Sequence, residues 1–293
     1  MSHATVTRGA PSRLSDLAPA LGAALSFSAA DVLGKVVFAS GMDVLSLVTL
    51  RGILAVVFFW WWIRASPPRA RHSPRARLIA LALGLLFAAN IFGLLLAIQV
   101  LPLSIAILTY FIYPLLTGIA AVALRLERLG WRSFACALAA LLGLALMLGT
   151  QPGNLAPIGL LAAFGAAICR VVSLLVTLAA LRGTDARLTT WYSLAPSAAV
   201  FIVVSLAVGT FHAPQNVGGW AAFVGMSVST TLSTLWIYVS TARVGAFRTA
   251  LLMNLEPVLS SCMSFVLLNE PVSALQLVGG AIMVAALCVF QFR

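Results

Sequence analysis

The chain has 293 residues, of which 62% are hydrophobic and only 9% charged. Water-soluble domains carry about 25% charged residues, so this composition excludes a soluble globular fold and predicts an all-α, multi-pass membrane protein. A formal charge of +11 would point to nucleic acid in a soluble chain; here the arginines cluster in short loops between apolar segments, where they set orientation, and nucleic acid is excluded as a partner.

Residues 1–16 read as a polar N-terminal tail. No signal peptide fits, because the first apolar run is longer than a signal core and lacks a persuasive cleavage site. About 20 apolar residues cross a bilayer. Ten segments of that kind follow, at 17–39, 43–64, 77–99, 103–124, 130–149, 155–181, 187–209, 217–241, 245–268 and 272–292. Arg64, Arg69, Arg71, Arg75 and Arg77 fall in or beside the second loop, Arg125, Arg128 and Arg132 the fourth, Arg182 and Arg187 the sixth, and Arg243 and Arg248 the eighth; the odd-numbered loops hold no Arg or Lys. This alternation supports the count of ten and places both termini in the cytoplasm, in an inner (plasma) membrane.

The polar residues inside the spans mark candidate interior faces. In the first span Asp31 and Lys35, the only lysine, are four residues apart and share a face with Ser28. Arg51 in the second lies closer to the outer interface, where it can snorkel. The third carries Phe87 and Asn90; the asparagine can bond either a neighbouring helix or a ligand. In the fourth, Tyr110, Tyr113 and Thr117 are spaced i, i+3, i+7 on one face. Arg170 stands in the middle of the sixth, with Ser173 and Thr177 on its face. The eighth is rich in hydroxyls, with Thr231, Thr234 and Tyr238 on one face and Ser233 and Trp236 on its neighbour. The ninth presents Met253, Glu256 and Ser260. A mid-membrane charge costs roughly 2.5–3.5 kcal/mol on insertion scales, so these groups need partners. The choice is between structural ion pairs, Asp31–Lys35 or Arg170–Glu256, and groups that meet a substrate or take up a proton. Spans five and ten are nearly devoid of polar groups, and their small residues, among them Gly143, Gly279 and Gly280, suit close helix packing or a dimer face.

Proline and an internal repeat organise this pattern. Pro114 and Pro257 are separated by close to half the chain. When Pro257 is laid over Pro114, Tyr113 falls on Glu256, Thr117 on Ser260 and Glu127 on Glu270. The reading is a duplication, with one repeat over 17–150 and a second over 155–292. Five spans per repeat is an odd number, so the second repeat is inverted, with a binding site near mid-membrane between the two. Pro257 frees the carbonyl of Met253 and predicts a bend there; Pro114, Pro257 and Pro196 are candidate hinges.

The stretch from Val244 to Phe290, containing LEPVLSSCMSFVLLNEPVSALQLVGGAIMVAAL, resembles the last two helices of the EamA-type repeat of the drug/metabolite transporter superfamily. The shared features are a proline in the penultimate helix, a glutamate just beyond it and a glycine-rich final helix. The first half repeats this as YPLLTGIAAVALRLERLGWRS, departing from it with Tyr113 where Glu256 would stand and Arg128 where Pro271 would. The resemblance implies a ten-helix basket around a central cavity and export of metabolites from the cytoplasm. Within the superfamily the chain is most similar to YddG-type exporters of aromatic amino acids.

The expected function is therefore a secondary transporter of small molecules, most of all aromatic and other neutral amino acids, working by alternating access. The candidate substrate-binding residues are Phe87, Asn90, Tyr110, Tyr113, Thr117, Trp236, Tyr238, Met253 and Glu256, and the charge or coupling candidates are Asp31, Lys35 and Arg170. A multidrug or cationic-compound exporter is the alternative within transport; a channel is the alternative outside it. An enzyme, a cofactor and a metal are not expected. His3, His72 and His212 are far apart, the four cysteines (Cys136, Cys169, Cys262 and Cys288) lack metal spacing, and no HExxH, GxSxG or Walker motif is present.

Overall fold

The computed structural model describes residues 14–68, 72–149 and 155–291. The tail expected over 1–16, apart from its last residues, lies outside them, as do Arg69, Arg71 and most of the fifth loop. The described residues form twelve helices and no strand: α1 (Leu14–Ala39), α2 (Val44–Ala65), α3 (Pro74–Val100), α4 (Leu103–Tyr110), α5 (Tyr113–Ala123), α6 (Trp131–Leu148), α7 (Pro157–Ala180), α8 (Ala186–Val208), α9 (Val217–Val244), α10 (Ala246–Leu252), α11 (Leu255–Leu268) and α12 (Ala274–Gln291). Together α4 and α5 make one crossing, as do α10 and α11, giving ten helices long and apolar enough to span a membrane. Helix is the outcome that sequence and solvent require, because backbone polar groups in lipid must bond within the segment. Polar side chains mark several starts. Asp43, Ser73 and Asn216 cap α2, α3 and α9 by accepting from the amides of Ser46, Ala76 and Gly219.

The two proline-bearing spans are each interrupted for two residues. Neither Pro114 nor Pro257 can donate the amide that would continue its helix, and a two-residue turn precedes each, at Phe111–Ile112 and Met253–Asn254. The carbonyl of Met253, freed by Pro257, accepts instead from the amide of Glu256 at 3.0 Å.

With five crossings each, the two repeats run in opposite directions, and the packing obeys that inversion. Contact of α1 with α9 is matched by α7 with α3, and contact of α1 with α11 by α7 with α5; the pairs α2–α8 and α6–α12 map onto themselves. All of these pairs join one repeat to the other. At the α6–α12 crossing a Cβ added at Gly279 would lie 2.4 Å from the Gly143 carbonyl oxygen. The small residues of spans five and ten thus serve backbone-to-backbone packing inside the chain. Among the departures from this inversion, α10 packs on α5, whereas their equivalents, α4 and α11, have no comparable contact.

A finer match carries the duplication to single atoms. Asn90 donates from Nδ2 to the carbonyl of Ala166 at 2.6 Å. Ser233, the equivalent of Asn90 in the second repeat, donates to the carbonyl of Ala23 at 2.8 Å, and Ala23 is the equivalent of Ala166 in the first.

Candidate functional site

Where the repeats meet there is a cavity of about 230 Å³. Six aromatic rings line it, those of Phe27, Phe87, Tyr110, Phe111, Tyr113 and Phe201. Tyr110 and Tyr113 lie with ring centroids 5.4 Å apart, and the Tyr113 hydroxyl donates to the carbonyl of Ala250 at 3.4 Å. Hydroxyl-bearing residues Ser197, Thr230, Thr231 and Thr234 line it too.

Four charged side chains border this space, each from a different helix: Asp31 from α1, Arg51 from α2, Arg170 from α7 and Glu256 from α11. Each repeat contributes one acid and one base. Their equivalents in the opposite repeat are Leu174, Leu194, Phe27 and Tyr113, which also line the cavity or the narrow void continuing it. The duplicated scaffold therefore offers these positions twice, and each is charged in one copy only.

These charges are not paired with one another. Among the described residues the ion pairs are Lys35–Glu270, Asp185–Arg187 and Asp43–His212. The structural pairs Asp31–Lys35 and Arg170–Glu256, considered from the sequence, do not form. Lys35 lies a turn beyond Asp31, where α1 runs against α11, and it reaches Glu270 at 2.5 Å and Ser264 at 3.2 Å. The Arg170 guanidinium sits over the Tyr113 ring, 5.9 Å from its centroid, and its buried Nε has no hydrogen-bond partner.

Of the residues singled out in the sequence, Phe87, Asn90, Tyr110, Tyr113, Asp31, Arg170 and Glu256 meet at the cavity. Tyr238 lines the continuing void beside Arg170, Ser173 and Thr177. The rest lie elsewhere. Thr117 is fully buried and bonds the Tyr113 carbonyl of its own helix. Met253 is packed in the core. Trp236 lies against Gly22 of α1, and Lys35 is at the rim with Glu270. Arg51 was missed as a lining residue: it faces the cavity instead of snorkelling to the interface. The available signal was the spacing of Val48, Arg51, Gly52 and Ala55, i, i+3, i+4, i+7, all of which line the cavity.

The cavity extends further toward the face carrying the Arg-poor loops. Val48, Leu94, Phe201 and Met226 line it there. Toward the Arg-rich face it tapers to about 20 Å³ and then ends in packed side chains, Ala80, Leu83 and Leu181 among them, with Tyr192 and Tyr238 against them. Loop contacts fasten that end. Arg187 donates to the carbonyl of Ser66 at 3.0 Å, and His72 Nε2 lies 2.9 Å from the Thr189 hydroxyl. Burial holds His72 below the usual imidazole range, against the pull of Asp185. Glu127 accepts from the amide of Ala246 at 2.6 Å and from that of Phe247 at 3.4 Å. Burial raises the Glu127 carboxyl above its ordinary value, although those amides and Arg248 oppose it. On the Arg-poor side, His212 approaches Asp43 at 3.4 Å and its amide donates to Ser46 at 3.0 Å. Burial disfavours the Asp43 carboxylate, but hydrogen bonds from Ser46, Leu45 and His212 outweigh it and keep its pKa below the ordinary value.

An aromatic, hydroxyl-bearing cavity with unpaired cations and anions can hold both ends of a zwitterion and a flat apolar body between them. No curated protein matches the sequence. A solved structure described only as "Crystal structure of protein" superposes with a TM-score of 0.80 at 20% identity, over 95% of this chain and 98% of its own, which shows the fold. The model of the EamA-like transporter family matches twice, over residues 17–149 and again over 157–291, one match for each repeat, and the chain belongs to that family as a multi-pass membrane transporter.

Proposed function

We propose that the chain exports small zwitterionic metabolites, foremost aromatic and other neutral amino acids, from the cytoplasm by alternating access. The observation that carries this reading is the set of four charges, Asp31, Arg51, Arg170 and Glu256, that face one aromatic cavity without pairing to each other. Arg170, whose Nε lacks a partner, is assigned the substrate carboxylate. Asp31 and Glu256 are assigned the ammonium group, and Tyr110, Tyr113, Phe87 and Phe111 the side chain. The loop charges support an inner-membrane protein with both termini in the cytoplasm, and on that reading the wider end of the cavity faces outward. The breaks at Pro114 and Pro257 are the hinges on which the half-helices α4 and α10 swing.

Aromatic walls and two carboxylates also suit an organic cation, but two arginines on the same cavity disfavour a lone positive charge. The deciding experiment is counterflow with purified protein in proteoliposomes. Saturable entry of labelled phenylalanine, driven by unlabelled phenylalanine inside and competed by tryptophan, is expected. Cationic dye movement without amino-acid competition would overturn the substrate assignment in favour of drug efflux, and flux without saturation would indicate a channel.

A further inference from the structure

The duplication makes each half of the molecule a template for what the other half does in the opposite state. At the Arg-rich face Glu127 caps the amino terminus of α10 through the amides of Ala246 and Phe247. Around that contact α10 lies on α5, with Phe247 seated where Gly118 has no side chain: a Cβ there would be 2.8 Å from the ring. The equivalents in the opposite repeat are Glu270 for Glu127, Leu103 and Ser104 for Ala246 and Phe247, and Ser261 for Gly118. None of that second set is assembled. The start of α4 has no side-chain cap, α4 has no comparable packing on α11, and Glu270 is turned to Lys35 at 2.5 Å. The cavity extends toward the side where this set stands apart.

The two faces differ at Lys35. Its equivalent in the second repeat is Leu178, so no cation at that position competes for Glu127. Glu270, by contrast, has a choice between the Lys35 ammonium and the α4 amides, and the structure shows the first. We propose that Lys35 sets which face of the cavity is open by holding Glu270 away from the amino terminus of α4. In the opposite state Glu270 leaves Lys35 and caps α4 at Leu103 and Ser104, Ser104 moves against Ser261, and Glu127 releases α10. The side chains of Lys35 and Glu270 are 49% and 45% exposed, and a pair so open to solvent is weak enough to break in each cycle. The inference rests on the alternating-access reading and adds to it the residues that bias the equilibrium.

The test places spin labels at Ser104→Cys and Ser261→Cys, with Cys136, Cys169, Cys262 and Cys288 replaced by alanine, and reads the short-distance population in reconstituted protein. Lys35→Met is expected to raise that population about two- to fivefold, the shift an exposed ion pair supports. Adding Glu270→Ala to Lys35→Met should reverse the rise, because the oxygens that would accept from the α4 amides are then missing. Glu127→Ala, made separately, should raise it by undoing the other staple; this variant also covers a Lys35→Met protein that does not fold. Equal populations in Lys35→Met with and without Glu270→Ala would overturn the lock, as would a Glu127→Ala protein no different from the parent. Counterflow on the parent is measured alongside. A short distance that never appears while saturable counterflow persists refutes the proposed motion of α4, and with it the lock, whereas loss of counterflow alone refutes the transport reading.

Discussion

Replacing Gly245 by alanine tests the staple at the Arg-rich face from its other side. Gly245 has φ +98° and ψ 168°, a region essentially confined to glycine, so a side chain there costs about 1–3 kcal/mol in backbone strain. The added Cβ would also lie 2.5 Å from Glu127 Oε1 and displace the carboxylate from the Ala246 amide; losing a hydrogen bond to a charged group costs about 1.5–3 kcal/mol. Gly245→Ala is therefore expected to destabilise the protein by about 3–6 kcal/mol. The assay is unfolding of purified protein by sodium dodecyl sulfate in mixed micelles, on Gly245→Ala, Glu127→Ala and the double variant. Because the staple can be lost only once, the double variant should fall short of the sum by about 1.5–3 kcal/mol. A cost below about 1 kcal/mol for Gly245→Ala, or strict additivity, would refute the reasoning.

Arg170→Met should raise the half-saturation of amino-acid counterflow about ten- to hundredfold, as loss of one hydrogen bond to a charged group implies; unchanged uptake would remove Arg170 from the site. Trp236→Phe should leave counterflow unchanged, since the indole packs on Gly22 away from the cavity. Gly279→Ala should cost about 1–3 kcal/mol by forcing α6 and α12 apart, read as a lower midpoint in the same unfolding assay. His72 titrates below its ordinary 6.5 when folded, so its contribution to stability is complete above pH 6.5 and is lost as the pH falls through the folded value. A melting temperature that declines on acidification below 6.5, with a slope that His72→Gln flattens, is the expected result.

The features readable in the sequence are those that depend on one helix or on spacing along the chain. The ten crossings follow from apolar length, and the repeat from the distance between Pro114 and Pro257. The i, i+3 spacing of Tyr110 and Tyr113 put both on one side, and both line the cavity although the helix is interrupted between them, while Thr117, the third residue of that spacing, does not. What was not readable depends on which helix lies opposite. Lys35 and Asp31 are one turn apart, the natural pair from spacing alone, yet the partner of Lys35 is 235 residues away. In α9, polar on two faces, nothing in the sequence distinguishes the face that meets the cavity at Thr231 and Thr234 from the one that carries Trp236 onto α1. Arg51 was read by its depth in the membrane, whereas the facing of α2 against α8 decides its direction. The prolines announced bends, but the length of the interruption, two residues at Phe111–Ile112 and Met253–Asn254, depends on how the half-helices are held by their neighbours.

The extensive helix contacts, α1 on α9, α3 on α7, α2 on α8 and α6 on α12, all cross from one repeat to the other. This has a consequence for synthesis. The first five spans emerge with the surfaces that will form the cavity, charges included, but without the helices that cover them. The second repeat trails by half the chain, a wait of about 10–30 s at ordinary translation rates. For that time Asp31 and Arg51 stand in the bilayer on an unpartnered half, which is the form most open to membrane proteases and to helices of other chains. A ribosome that stalls after Leu148 leaves a fragment with nothing to close on, and the same dependence allows the two halves, made as separate chains together, to find one another.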